Sequence, residues 1–161
     1  ALVWGALPRM AGTIDAPLGR HTSNRLQKAV VDADRPDAKH AVTHYAVKER
    51  LVDPDKPGEF LMSMVECRLE TGRTHQIRVH MTHIGNPLLG DREYGKHFAN
   101  KVARLPKPVQ PEFEAFNRQA LHAHTLGFRH PTTGETCTFS AAPPADMGGL
   151  IELLKWSVVG S

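Results

Sequence analysis

The chain has 161 residues, and Lys and Arg outnumber Asp and Glu by 20 to 17, for a net charge of +3 and a sequence pI near 9.0. A chain of this size without a long apolar run reads as one soluble domain or a large piece of one, which argues against a membrane-spanning protein, and no charged stretch leading into an apolar one argues for secretion. The mild basicity permits a polyanionic partner without demanding one, and Cys67 and Cys137, both in strand-like surroundings, read as reduced, buried thiols.

The chain opens without Met on Ala1-Leu2-Val3-Trp4-Gly5, an apolar strand closed by glycine, and is expected to be a fragment. Gly12 to Arg20 follows, with Ile14 and Leu18 bracketed by glycines and Pro17, and predicts a short edge-like strand and a turn. Arg20, His21, Arg25 and Lys28 then form a basic run whose composition fits a solvated loop as readily as a phosphate site. Ala41 to Leu51, rich in β-branched and aromatic residues, predicts a strand. Val52 to Glu59 is a short polar link into a second strand over Phe60 to Leu69, so the two make a hairpin. In that second strand Leu61, Ser63, Val65, Cys67 and Leu69 alternate with Met62, Met64, Glu66 and Arg68, the period of a strand with one buried face.

The pattern changes at Thr71. Ile77, Met81 and Ile84 recur at helical spacing, Gly72 can supply a positive φ at the turn, and Thr71 or Thr74 can cap the helix start. Gly85 is the expected residue just past the helix end. Pro87 to Gly95 is punctuated by glycines, and Lys96 to Pro111, with several prolines and no period, predicts a surface loop. Glu112 to Asn117 predicts a short helix packing Phe113 and Phe116. Gln119 to Phe128 and Glu135 to Ser140 predict a second hairpin, and Asp146 is the expected cap of a C-terminal amphipathic helix carrying Leu150, Leu153 and Leu154. The class is α+β, with a mainly antiparallel sheet and flanking helices.

Several chemistries fail on spacing. His122 and His124 share one face of a strand, but no His-Glu-x-x-His pattern or cysteine pair completes a zinc site, and His80 and His83 read as ordinary core or surface residues. There is no Gly-x-Ser-x-Gly, neither cysteine sits at a helix start, and no glycine-rich phosphate loop is present. The arginines remain. Arg73 and Arg78 lie at or near the positive end of the helix, where anions are favoured. On spacing alone Arg78 is either solvent-exposed or a fork-shaped donor to a carboxylate or phosphate.

The stretch Leu69-Glu70-Thr71-Gly72-Arg73-Thr74-His75-Gln76-Ile77-Arg78-Val79-His80 resembles the third sequence motif of RNA pseudouridine synthases of the ribosomal large-subunit type. Gly12 to Arg20, Thr43-His44-Tyr45, Leu89 to Gly95, Arg118 to Ala123 and His130-Pro131 agree with the same family, so the resemblance covers nearly the whole chain. It implies an isomerase that converts uridine to pseudouridine in ribosomal RNA, breaking the N-glycosidic bond and joining C5 of the base to the ribose, with no cofactor and no metal. The family's nucleophile is an Asp in a His-Arg-Leu-Asp motif, and a Tyr in a Lys-x-Tyr motif stacks on the base; neither motif occurs here. The resemblance therefore implies that residues 1–161 are the C-terminal portion of a single catalytic domain, inactive alone, with the nucleophile upstream. Arg78 matches the arginine that pairs with the catalytic Asp, and Leu69 matches an apolar residue packed near the target base. Arg20, Arg25, Lys28 and Arg73 are candidates for RNA phosphate contacts. The expected protein is a cytoplasmic monomer without membrane contact. The alternative is a non-catalytic RNA-binding module lacking the nucleophile, and a zinc hydrolase is a third reading.

Overall fold

A computed structural model describes residues 1–155 apart from Arg25 and Pro54. Its frame is an antiparallel sheet in the order β1-β6-β5-β2. Here β1 is Leu2–Trp4, β2 Ala11–Asp15, β5 Val42–Val52 and β6 Phe60–Leu69, with β3 (Leu18–Arg20) and β4 (Lys28–Val30) forming a small separate hairpin. Every strand pairing among the described residues is antiparallel. The long hairpin falls where the β-branched runs predict it, with Thr43 opposite Leu69 and Val47 opposite Val65.

The expectation of one buried face for β6 is corrected. Leu61, Met62, Ser63 and Val65 are all buried, because this half of the sheet is covered on both sides. Leu2, Trp4 and Met62 belong to one apolar cluster with Leu105, Val109, Phe116 and Leu150, while Val3 and Val65 join Val47, Met81 and Leu88 in another. Neighbouring residues of a strand point to opposite faces, so β1 and β6 feed both cores at once.

The second cluster is closed by α1 (Gln76–His83), whose end follows the glycine rule. Gly85 has φ 86, its N–H donates to Thr82 O (3.0 Å), and Asn86 N–H donates to Met81 O (2.8 Å). This is a Schellman arrangement, in which the left-handed residue costs glycine nothing.

The expected loop over Lys96 to Pro111 is corrected as well. Lys96–Arg104 is a 3₁₀ helix and α2 begins at Gln110, running to Ala115. Leu105 and Val109 are buried in the first core, and the Arg104–Asp53 ion pair ties this segment to the β5–β6 link. Prolines hid the segment because they break the period without preventing burial. The predicted strand over Gln119 to Phe128 is shorter: β7 is Thr125–Arg129, paired with β8 (Thr136–Ser140), while Ala120 N–H and O are used by Leu89 and Leu2. The C-terminal helix α3 is Ala145–Lys155, and Asp146 sits in its first turn as the partner of Arg118 rather than as a cap. No helix among the described residues is long and apolar enough to cross a membrane.

Candidate active site

The link from β6 to α1 is clipped by a side chain the sequence did not single out. Gln76 is buried, and its Oε1 accepts from Arg73 N–H (2.9 Å) and from the Thr71 hydroxyl (2.9 Å), while its Nε2 donates to Val42 O (2.9 Å) and Thr43 Oγ1 (3.0 Å). Neither Thr71 nor Thr74 caps the helix, and Gly72 does not carry the positive φ. That conformation falls on His75, at φ 58 and ψ 17, the one positive-φ residue other than glycine among those described. A left-handed non-glycine residue costs about 1 kcal/mol and persists only where its surroundings hold it.

Behind it, Thr43 Oγ1 meets His80 Nδ1 (2.9 Å) and His80 Nε2 meets Ala16 O (2.9 Å). The carbonyl can only accept, so Nε2 carries the proton and Nδ1 accepts from the threonine. Burial pushes the His80 imidazole below its ordinary value, and this histidine is a neutral strut in the core.

Arg78, one turn into α1, is a fork-shaped donor. Its Nε donates to Asp91 Oδ2 (2.8 Å), and its Nη2 donates to Asp91 Oδ1 (2.9 Å) and Glu93 Oε2 (2.9 Å). The guanidinium lies over the Tyr94 ring, 4.8 Å from its centroid. The side chains of Arg78 and Asp91 are 11% and 0% exposed, so this pair is shielded from solvent and salt. Burial pushes the Asp91 carboxyl up, but the Arg78 guanidinium and the N–H groups of Tyr94 and Glu93 outweigh it and hold the carboxyl below the usual range. The Asp91 hydrogen bonds in turn raise Arg78. Sequence reasoning matched Leu89 to Gly95 as a motif but gave Asp91, Glu93 and Tyr94 no role. Two carboxylates and an aromatic ring between Gly90 and Gly95 were the available signal.

Beside this cluster lies an open cationic cleft of about 730 Å³, lined by Arg20, His21, Lys28, Arg35, Lys39 and Arg73 among others. Arg35 is occupied by Asp37, whose Oδ2 also accepts Arg20 N–H (2.7 Å) and so fixes the wall. Arg73 Nε donates to His40 O (3.0 Å), which keeps the side chain at the rim. Among the described residues Arg20, Lys28, Lys39 and Arg73 have no carboxylate partner, which leaves their charge available to a polyanion. The structure thus brings together Arg20, Lys28 and Arg73 of the predicted phosphate contacts; Arg25 lies outside the described residues. Leu69 stands at the end of β6, 47% exposed. His122 and His124 lie edge to face at 6.4 Å between centroids, and among the described residues no group of three His, Cys, Asp or Glu is placed to hold a metal.

Fold and site define a class: an α+β domain in which a partly buried arginine–carboxylate cluster adjoins an open cationic cleft. The sequence model described as RNA pseudouridylate synthase matches residues 3–83, half of the chain, and the chain belongs to that family. It is 46% identical over 155 residues to an uncharacterized RNA pseudouridine synthase of Bacillus subtilis, covering 96% of this chain and 43% of that protein. It is 45% identical over 159 residues to the ribosomal large subunit pseudouridine synthase D of Xanthomonas campestris, again covering 96% of this chain and 43% of the relative. The chain therefore spans less than half the length of these relatives. Among solved structures, human RNA pseudouridylate synthase domain containing 1 superposes with a TM-score of 0.64 at 22% identity, covering 99% of this chain and 64% of that one, a likeness of fold.

Proposed function

We propose that residues 1–161 are the C-terminal portion of the catalytic domain of an enzyme that isomerises uridine to pseudouridine in large-subunit ribosomal RNA. The relatives named ribosomal large subunit pseudouridine synthase D support the choice of RNA. The observation that carries the reading is the setting of Arg78. Two carboxylates and an aromatic face fix its plane, and its Nη1 makes no hydrogen bond among the described residues. That free edge can take one more carboxylate, the nucleophilic Asp supplied by the rest of the protein. A guanidinium there keeps the acid ionised and aimed, as a nucleophile requires.

The reaction breaks the bond between N1 and the ribose and forms one from C5, with loss of the C5 proton and gain of one at N1, so it is redox-neutral and calls for neither metal nor organic cofactor. A uridine must leave its stack to be reached. Leu69, exposed at the end of β6, offers the displaced base an apolar contact, while Arg20, Arg25, Lys28 and Arg73 hold flanking phosphates. The protein works as a cytoplasmic monomer.

The test is release of tritium from C5-labelled uridine in a large-subunit RNA transcript by the complete protein. Turnover supports this reading. Salt-sensitive binding without tritium release supports a non-catalytic RNA-binding module instead, a reading favoured by one observation: the two carboxylates Asp91 and Glu93 already exceed the single charge of Arg78.

A further inference from the structure

Tyr94 touches both parts of the site. Its ring lies against the Arg78 guanidinium, 4.8 Å from centroid to Cζ, and stands edge-on to the His75 ring at 5.8 Å. Its hydroxyl accepts from Lys28 N–H (3.0 Å) and lies 3.1 Å from His75 Nδ1, to which it can donate. Lys28 belongs to β4 and lines the cationic cleft. A second tether runs beside the first, from Gln27 Nε2 to Glu93 O (3.4 Å). The β3–β4 hairpin is therefore fastened to Glu93 and Tyr94, two of the three residues that hold Arg78.

His75 completes the arrangement. Its left-handed backbone turns the ring toward Tyr94, while its carbonyl accepts Val79 N–H (2.9 Å) as the first bond of α1. A strained residue clipped at both ends fixes the hydroxyl from the helix side as Lys28 does from the strand side. An open pocket of about 410 Å³, lined by Lys28, Val79, Glu93 and Tyr94 among others, lies along this seam.

We propose that Tyr94 is a positioning residue with two separate duties, one toward the phosphate cleft and one toward Arg78. The ring sets the plane of the guanidinium, and the hydroxyl seats the β3–β4 hairpin and its cations against α1. The two duties are separable by substitution, because phenylalanine keeps the ring and removes only the hydroxyl.

This rests on the reading of Arg78 above, and the experiment separates the two. In the complete protein, acting on an RNA transcript with C5-tritiated uridine, Tyr94→Phe raises KM about fivefold to tenfold and holds kcat within about twofold, the effect of losing one hydrogen bond on the binding side. Tyr94→Leu raises KM by a similar factor and lowers kcat at least tenfold further, because the guanidinium loses its support. A side chain with a merely structural role would not divide its effects in this way. If Tyr94→Leu fails to fold, the KM and kcat of Tyr94→Phe decide alone. Wild-type kinetics in Tyr94→Phe, or a fall in its kcat at constant KM, overturns the proposal. An inactive Arg78→Ala beside either of those results overturns only the role of Tyr94, whereas an active Arg78→Ala overturns the reading of Arg78 and the proposal with it.

Discussion

Arg73 and Arg78 bracket the start of one helix and have opposite fates. Arg78 is largely shielded, with 11% of its side chain exposed, and makes three hydrogen bonds to two carboxylates, whereas Arg73 is exposed and is tied to a single carbonyl. The helix end favours anions near both. What separates them is burial: a desolvated guanidinium must be matched by fixed carboxylates, while a solvated one can wait for a mobile phosphate. The same residue type thus builds a rigid centre on one side of α1 and an adaptable surface on the other.

The largest effect is expected at the rigid centre. Asp91→Ala leaves the largely shielded Arg78 without its bidentate partner and two backbone N–H groups without an acceptor, and should lower stability by about 3–5 kcal/mol in a denaturant titration. A loss under about 1 kcal/mol would mean that the pair is not shielded. Glu93→Gln, which keeps the shape and removes a charge from a partly exposed pair, should cost only about 1 kcal/mol.

His80 gives this side of the molecule a pH dependence. Burial holds its imidazole below the ordinary value, while in the unfolded chain it takes up a proton near pH 6.5. Between those two values the unfolded state binds more protons, so stability falls as pH drops below about 6.5 and is fully present above it. His80→Gln, able to accept from Thr43 and donate to Ala16, should flatten that part of the stability profile. An unchanged slope would assign the titration elsewhere.

The open side should respond least. Arg73→Ala or Arg20→Ala should leave stability within about 0.5 kcal/mol, weaken RNA binding several-fold regardless of sequence, and reduce the slope of log affinity against log salt by about 1. A loss confined to one RNA sequence would turn a phosphate contact into a base contact.

Much of the frame was legible because local chemistry and tertiary role agree. The β-branched run from Ala41 and the alternation from Phe60 mark β5 and β6, and Gly85 marks a helix end that only a left-handed residue could make. The cleft was partly legible in the cluster of Arg20 and Lys28, although β4 itself was hidden, since three residues in a polar run carry no period. The rigid centre was not legible beyond Arg78. Its carboxylates lie past the end of α1, on a segment whose pairing back onto the helix is a tertiary event. His75, too, takes its left-handed φ from what holds its ring, whereas by local preference Gly72 was the better candidate.

The most direct measurement is single-turnover tritium release by the complete protein carrying Arg78→Ala, at saturating RNA, with RNA affinity measured alongside. If Arg78 serves the nucleophile and the cleft serves the phosphates, the rate falls about 100-fold or more while affinity changes by less than about threefold. A wild-type rate, or a loss of affinity that accounts for the whole defect, would contradict it.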